Sequence, residues 1–300
     1  MRIVRFENDN TTKIAAVTDQ EEIFSLPSAS VLSLFNKAEQ KGVSVLALVQ
    51  ELIKDQSPLS VKLEELNLLV PLEVSEVWAS GVTYQKSREA RNYEATDGKL
   101  DSPATFYDKV YDAERPEIFF KSTGQRLIGQ NEDVYLRTDS NWQIPEPELG
   151  LVISRKGNVI GYTVGNDMSC RDIEGENPLY LPQAKIWKNS CSVGPAIRLA
   201  DTVDNPYEFQ IICRIFRGGE KVFEGDAFVN QLKRKLDELV NYLVKDNDVF
   251  DGTVLLTGTC VVPPNEFTLQ DRDDIEIEIP GIGTLRNSVK HPAEQSVASS

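Results

Sequence analysis

Histidine is almost missing from this sequence of 300 residues. The only one, His291, lies in a terminal stretch of Pro, Ala and Ser, as is typical of a frayed chain end. Ser-His-Asp triads, Cys-His pairs and zinc sites built on histidine all need a firmly held imidazole. We therefore exclude them, and carboxylate, lysine, tyrosine and metal chemistry remain.

Long apolar runs, paired cysteines and excess positive charge are missing as well. No apolar run is long enough to span a membrane and the first residues do not resemble a signal peptide, so we expect a cytoplasmic protein. The four cysteines show no CxxC spacing, and we expect them reduced in the core. The net charge of -15 argues against nucleic-acid or membrane partners, because phosphate binding needs clustered Lys and Arg.

The composition, with 40% apolar residues, predicts a globular chain with a sizeable core. Residues 1–70 combine short strand patterns with two helical patterns, which predicts a small N-terminal α/β domain. Residues 71–289 contain many short apolar runs, such as 254–262, bounded by Gly, Pro, Asn and Asp. This pattern predicts a β-rich body of class α+β. We expect one long helix in it, at 229–245, and a flexible tail at 290–300.

Two glutamates, Glu146 and Glu148, stand directly before an apolar strand in the sequence PEPEL. Side chains at i and i+2 of an extended segment lie on one face, and Pro147 stiffens the approach. The next apolar strand ends at Asp167. If the two strands are antiparallel neighbours, Asp167 lies beside the start of the first strand, next to the two glutamates. Three oxygen ligands without nearby His or Cys favour Mg²⁺, with Mn²⁺ or Ca²⁺ as substitutes.

Two glutamates beside a strand are more often a solvated edge than a site. The neighbourhood favours a site, because Arg171 and Lys185 follow closely, the lysine in a proline-marked loop. A lysine held beside a metal and an anionic substrate can have its charge state adjusted, whereas an exposed lysine usually cannot.

The segment 145–187 closely resembles the signature of the fumarylacetoacetate hydrolase superfamily, in its sequence PEPELGLVISRKGNVIGYTVGNDMSCRDIEGENPLYLPQAKIW. Together with LLTGT at 255–259, the resemblance covers roughly residues 77–289. It implies a mixed β-sandwich roll, a homodimer or homotetramer, and Mg²⁺ bound by two glutamates and an aspartate. Position by position, the metal ligands match Glu146, Glu148 and Asp167, the active-site lysine matches Lys185, and the pocket threonine matches Thr259.

One departure from the superfamily concerns its hydrolases, which carry a His-Glu pair on a short lid where the imidazole activates water. The equivalent residues here, 80–89, contain no histidine. The resemblance therefore does not imply hydrolysis of a carbon–carbon bond by that route.

The segments SGVTY, VYDAERPEIFFK, RDIEGENPLYLPQAKI and DGTVLLTGT resemble a dehydratase branch of the superfamily. The resemblance implies a Mg-dependent hydro-lyase of pentose catabolism. It would convert a 2-keto-3-deoxy sugar acid, 2-dehydro-3-deoxy-D-arabinonate or its D-xylonate-derived equivalent, to 2,5-dioxopentanoate through an enolate whose charge the metal takes up. The alternatives are an acylpyruvate hydrolase, an oxaloacetate decarboxylase, and a non-catalytic metal- or ligand-binding protein.

Such an elimination needs a base near C3 of the substrate and an acid near the C4 hydroxyl. We favour Lys185 as base and Glu117 as acid, although a glutamate at a strand end is more often simply exposed. Lys121 or Arg171 would bind the substrate carboxylate, or equally form ordinary ion pairs. The residues expected to close the pocket, or to form a plain turn between strand and loop, are Ser80, Gly81, Thr83 and Tyr84.

Overall fold

The computed structural model describes residues 1–96 and 106–292. Its strands are β1 (Arg2–Asn8), β2 (Thr11–Val17), β3 (Ile23–Ser25), β4 (Asn67–Leu68), β5 (Glu76–Gly81), β6 (Glu117–Thr123), β7 (Leu127–Ile128), β8 (Asp133–Tyr135), β9 (Gln143–Ile144), β10 (Pro147–Ile153), β11 (Val159–Asp167), β12 (Ser169–Cys170), β13 (Cys191–Leu199), β14 (Gln210–Arg217), β15 (Glu220–Phe228), β16 (Thr253–Leu256), β17 (Asp273–Ile279) and β18 (Gly283–Lys290). Its helices are α1 (Val31–Lys41), α2 (Val45–Ile53), α3 (Gln85–Thr96), α4 (Phe106–Asp112), α5 (Arg171–Glu176), α6 (Leu181–Lys185) and α7 (Leu236–Val244). Within the described ranges, no helix has the length and apolar character needed to cross a membrane.

A large mixed sheet forms the centre of the molecule, in the order β3-β2-β1-β13-β11-β10-β16-β5-β6. Its middle strands β10 and β11 are antiparallel, and every residue of β10 is buried. A strand covered on both faces needs apolar side chains on both, which explains the continuous apolar run of its sequence.

A second sheet, in the order β15-β14-β17-β18-β8, packs on one face of the large sheet. The hydrophobic cluster between the two sheets joins Leu149 and Val164 of the large sheet to Ile211 and Ile215 of β14, and it includes the apolar side of α7. The predicted mixed β-sandwich is confirmed.

Strands β1 to β3 extend the large sheet, and helices α1 and α2 cover its opposite face. Helix α1 begins after Ser30, whose side chain accepts a hydrogen bond from the Ser33 N–H, and ends at Gly42 with φ of 66°. Strand β1 pairs with β13, with Arg2 opposite Arg198. The predicted boundary at residue 70 therefore runs through one continuous sheet, and the division into domains stays a prediction.

Two expected elements differ from the structure, and part of a third is not described. The helix predicted at 229–245 begins only at Leu236, because the N–H of Lys235 is capped by Glu238 and the preceding residues form a 3₁₀ turn. The strand predicted at 254–262 ends at Leu256, since Gly258 has φ of 93°. From residue 293 onward the predicted tail lies outside the described residues.

Candidate active site

Strands β10 and β11 bring three carboxylates to one point. Pro147 pairs with Asn166, and the Asp167 N–H donates to the Glu146 carbonyl at 3.0 Å. Glu146, Glu148 and Asp167 are buried, and each offers an oxygen within 4.8 Å of the others. The expected convergence of these side chains is confirmed.

The donor set of this cluster fits a hard divalent cation. Burial and then the negative charges of Asp167 and Glu146 raise the pKa of Glu148 well above its usual range, so the three anions need a compensating charge. One oxygen of Glu148 accepts a hydrogen bond from the Gly258 N–H at 2.6 Å, which fixes its direction. All the donors are carboxylate oxygens, which favours Mg²⁺ over softer metals.

Lys185, at the end of α6, lies against the same cluster. Its Nζ is 2.6 Å from Glu146 Oε2, 3.2 Å from Asp167 Oδ2 and 3.2 Å from Glu174 Oε1, and it donates to Ser169 Oγ at 2.5 Å. Burial alone would lower the pKa of Lys185, but Asp167, Glu146 and Glu174 raise it. These contacts keep the side chain an ammonium in the described structure.

Lys121 is fully buried beneath Asp167. Its Nζ lies 2.5 Å from Asp167 Oδ1, donates to the Met168 carbonyl at 2.9 Å and also contacts the Lys185 carbonyl. Three protein oxygens occupy its three donors, so the contacts fit the ion-pair alternative, and a role in binding substrate stays a prediction.

Glu117, the first residue of β6, pairs in register with Gly81. A Cβ added at Gly81 would lie 1.9 Å from Glu117 Oε2, so only glycine allows the carboxylate to occupy this place. Burial raises the pKa of Glu117, although Arg91 and Lys185 partly offset the effect. Its buried Oε2 makes no hydrogen bond with the described part of the chain, which suits a group that acts on a ligand.

The close approach at Gly81 makes Gly81→Ala a sensitive test of Glu117. We expect the methyl group to displace the carboxylate and to lower kcat roughly 100-fold, the usual cost of misplacing a reacting group by about 1 Å. Steady-state kinetics of Gly81→Ala, Glu117→Gln and the double variant measure the effect. If the double variant is much slower than Glu117→Gln alone, the methyl group acts elsewhere and the explanation is wrong.

The loop after β5 is fixed against the segment that follows β16. Thr83 Oγ1 donates to the Thr257 carbonyl at 2.8 Å, and a Cβ at Gly258 would lie 1.9 Å from that hydroxyl oxygen. Thr259 is buried and donates to the Val261 carbonyl at 3.2 Å. The two segments thus form one wall beside Glu148.

Two other residues nearby, Ser80 in β5 and Tyr84 in the loop, end in buried hydroxyl groups. Ser80 Oγ has no hydrogen-bond partner among the described residues. The Tyr84 hydroxyl lies near the thiol of Cys260, and burial, then Cys260 and Glu148, raise the pKa of Tyr84. The substrate contacts expected of this wall stay predictions.

Four further charged residues, three of which the sequence analysis did not single out, form crossed ion pairs between α3 and α5. Arg91 Nη2 lies 2.8 Å from Glu174 Oε1, and Arg171 Nη1 lies 2.5 Å from Glu94 Oε1, with all four side chains at most 5% exposed. Arg171 also approaches Glu146 Oε1 at 4.0 Å. The sequence signal for these pairs is the spacing Arg-x-x-Glu, which occurs as RNYE on α3 and as RDIE on α5.

Glu94 should make stability depend on pH. Burial raises its pKa from 4.5 to about 7, with Arg171 opposing the rise. A carboxyl whose pKa is higher in the folded chain stabilises the fold below its unfolded pKa, and this contribution is lost as pH rises through about 7. Glu94→Gln stays neutral, so its melting temperature relative to the wild type should increase by a few °C between about pH 5 and about pH 9. Calorimetry at both pH values measures this difference, and a constant difference would contradict the prediction.

Residues 77–290 match the family described as fumarylacetoacetate (FAA) hydrolase C-terminal. The chain is 41% identical over 279 residues to the 2-dehydro-3-deoxy-D-arabinonate dehydratase of Saccharolobus solfataricus, covering 92% of this chain and 91% of that protein. It is 44% identical over 246 residues to a probable 2-keto-3-deoxyxylonate dehydratase of Haloferax volcanii, covering 82% and 83%.

A solved structure of similar architecture is 2-keto-3-deoxy-D-arabinonate dehydratase complexed with magnesium and 2,5-dioxopentanoate. It has a TM-score of 0.79 and 38% identity, and the match covers 97% of this chain and 99% of that one. The chain therefore belongs to the fumarylacetoacetate hydrolase family, and the resemblance stated from the sequence is confirmed.

Proposed function

We propose that the protein is a Mg²⁺-dependent dehydratase that converts 2-dehydro-3-deoxy-D-arabinonate, equally obtained from D-xylonate, to 2,5-dioxopentanoate. The observation that carries the proposal is the contact of Lys185 with two of three buried carboxylates in a chain 41% identical to such a dehydratase. The preceding dehydration removes the stereocentres at which D-arabinonate and D-xylonate differ. Both sugar acids therefore yield the same substrate.

In this proposal, the metal site determines the substrate's orientation. Glu146, Glu148 and Asp167 would hold Mg²⁺, with the C1 carboxylate and C2 ketone of the substrate facing them. When bound there, Mg²⁺ supplies positive charge that stabilises negative charge on the ketone oxygen and lowers the pKa of the nearby Lys185 ammonium. Carbons C3 and C4 then lie toward the protein's proton-transfer groups.

Lys185 and Glu117 divide the proton transfers. Lys185 Nζ takes a proton from C3, and the Glu117 carboxyl gives its proton to the C4 hydroxyl, which leaves as water. The raised pKa of Glu117 favours the protonated form that this step needs. Lys185 then returns its proton to C3 while Glu117 takes one from C5, and the resulting enol becomes the C5 aldehyde. One water is lost in total, and both residues recover their starting state.

Incubation with separate 2-keto acids tests the proposed function. We expect the purified protein with Mg²⁺ to form 2,5-dioxopentanoate from 2-keto-3-deoxypentonate, detected by mass spectrometry, and to lose this activity with a chelator. Fast release of CO₂ from oxaloacetate, without product from the pentonate, would favour a decarboxylase instead. Cleavage of an acylpyruvate would favour a hydrolase.

The cytoplasmic location and the assembly complete the proposal. We infer a cytoplasmic location, as expected from the sequence, and a homodimer or homotetramer, as the family resemblance implies. The small molecule that the protein binds is its 2-keto acid substrate. Gel filtration with light scattering measures the assembly, and a monomer at micromolar concentration would contradict it.

A further inference from the structure

The crossed ion pairs between α3 and α5 end directly beside the metal ligands. Glu174 Oε1 lies 2.8 Å from Arg91 Nη2 and 3.2 Å from Lys185 Nζ. Its side chain is fully buried, so the carboxylate cannot exchange these contacts for water. A glutamate outside the metal cluster thus shares the active-site lysine with two members of that cluster.

The partners of Lys185 are of two kinds. Glu146 Oε2 and Asp167 Oδ2 belong to the cluster that fits a divalent cation, whereas Glu174 and Ser169 lie outside it. An ammonium and a divalent cation compete for the same carboxylate oxygens, because each is stabilised by their negative charge. A carboxylate outside the cluster gives the ammonium an alternative ion-pair partner.

We propose that Glu174 is a positioning residue. It gives the Lys185 ammonium an ion-pair partner outside the cluster and so weakens its competition with the cation for the oxygens of Glu146 and Asp167. Arg91 contacts the same Glu174 oxygen as Lys185 and holds the carboxylate in place. The same contact keeps the Lys185 amine beside the cluster, where the elimination needs it. The inference rests on the metal site of the proposed function but not on its substrate.

The close packing of α5 against α3 supports a fixed position for Glu174. A Cβ added at Gly175 would lie 3.0 Å from the Glu94 carbonyl oxygen, so glycine lets the two helix backbones approach. The Glu94–Arg171 pair holds the other end of the contact. Glu174 is therefore held by the packing of its own helix, α5, against α3, and does not depend on Lys185 for its location.

Titration with Mn²⁺ alone tests the inference without any turnover. We expect Glu174→Gln to raise the Kd for Mn²⁺ about 10- to 100-fold, the usual effect of losing a residue that orients metal ligands, as measured by electron paramagnetic resonance and calorimetry. Asp172→Asn is the matched control, since it removes the same charge from the same helix. Its carboxylate binds Ser140 Oγ at 2.6 Å and the Asn141 N–H at 2.7 Å instead, so its Kd should stay within about 3-fold of the wild type.

Removal of the lysine separates positioning from simple loss of charge. Lys185→Met should restore Mn²⁺ affinity about 10-fold or more in the Glu174→Gln background but change it only about 3-fold or less in the wild type. Equal effects of Lys185→Met in both backgrounds would overturn the inference while leaving the proposed function intact. A wild type that binds no Mn²⁺ would overturn both.

A charge-balanced variant protects the test against a failure to fold. Arg91→Gln/Glu174→Gln removes one buried cation together with its buried anion, and circular dichroism checks that it folds. It still lacks the outside carboxylate, so its Mn²⁺ affinity should again be rescued by Lys185→Met. Absence of rescue in this background would also contradict the role of Glu174.

Discussion

Glu146→Gln is expected to lose both the metal and the activity. The substitution keeps the size of the side chain but removes one of three anionic ligands, so the Kd for Mg²⁺ should rise at least about 100-fold. Glu146 is held ionised, since burial would raise its pKa but Lys185, Arg91 and Arg171 lower it to about 2. Turnover at a fixed, low Mg²⁺ concentration should fall roughly 1,000-fold or more, because the charge that stabilises the enolate is lost.

Calorimetric titration with Mg²⁺ and steady-state kinetics measure these two effects. Glu220→Gln, at the exposed start of β15, is a suitable control, since it removes the same charge far from the cluster in an edge strand. Metal affinity that survives unchanged in Glu146→Gln would show that the cation binds elsewhere. The three-carboxylate site would then be wrong.

Lys185→Met is expected to abolish turnover while metal binding survives. Methionine fills a similar volume but neither accepts nor donates a proton, so kcat should fall about 1,000-fold or more, in the upper range for a lost acid–base group. The three carboxylates remain, and Mg²⁺ should bind at least as tightly as before. Kinetics and calorimetry on the same preparation separate the two effects.

Lys188→Met is the matched control for this lysine. Lys188 lies three residues further on, and its ammonium lies over the ring of Tyr135 at 4.8 Å. Among the described residues it forms no ion pair with the carboxylate cluster. Its turnover should match the wild type. Turnover retained by Lys185→Met would remove the lysine from the proposed proton transfers.

The convergence of the three carboxylates was predictable because local geometry brings them together. Alternation along an extended chain places Glu146 and Glu148 on one face, and two sequential antiparallel strands return Asp167 to them. The buried strands were visible for the same reason, since β10 and β11 are apolar over most of their length.

The crossed ion pairs and the edge strand β15 were not predictable in this way. Arg91 and Glu94 stand three residues apart on a polar helix, a pattern typical of a solvated face, and only the packing of α5 buries them. Strand β15 is largely exposed at a sheet edge, so burial imposes no apolar alternation on its sequence. The surroundings of Lys121 were not predictable either. The oxygens around its Nζ belong to Met168 and Lys185, which are far from Lys121 in the chain.

The pairing of β1 with β13 has a consequence for protein engineering. Strand β13 lies between β1 and β11, and β11 ends in Asp167. A truncated enzyme starting near residue 71 would leave the backbone groups of β13 open along that edge, ready to pair with another molecule. An exchange of the amino-terminal portion between homologues would therefore have to preserve the pairing with β13 as well.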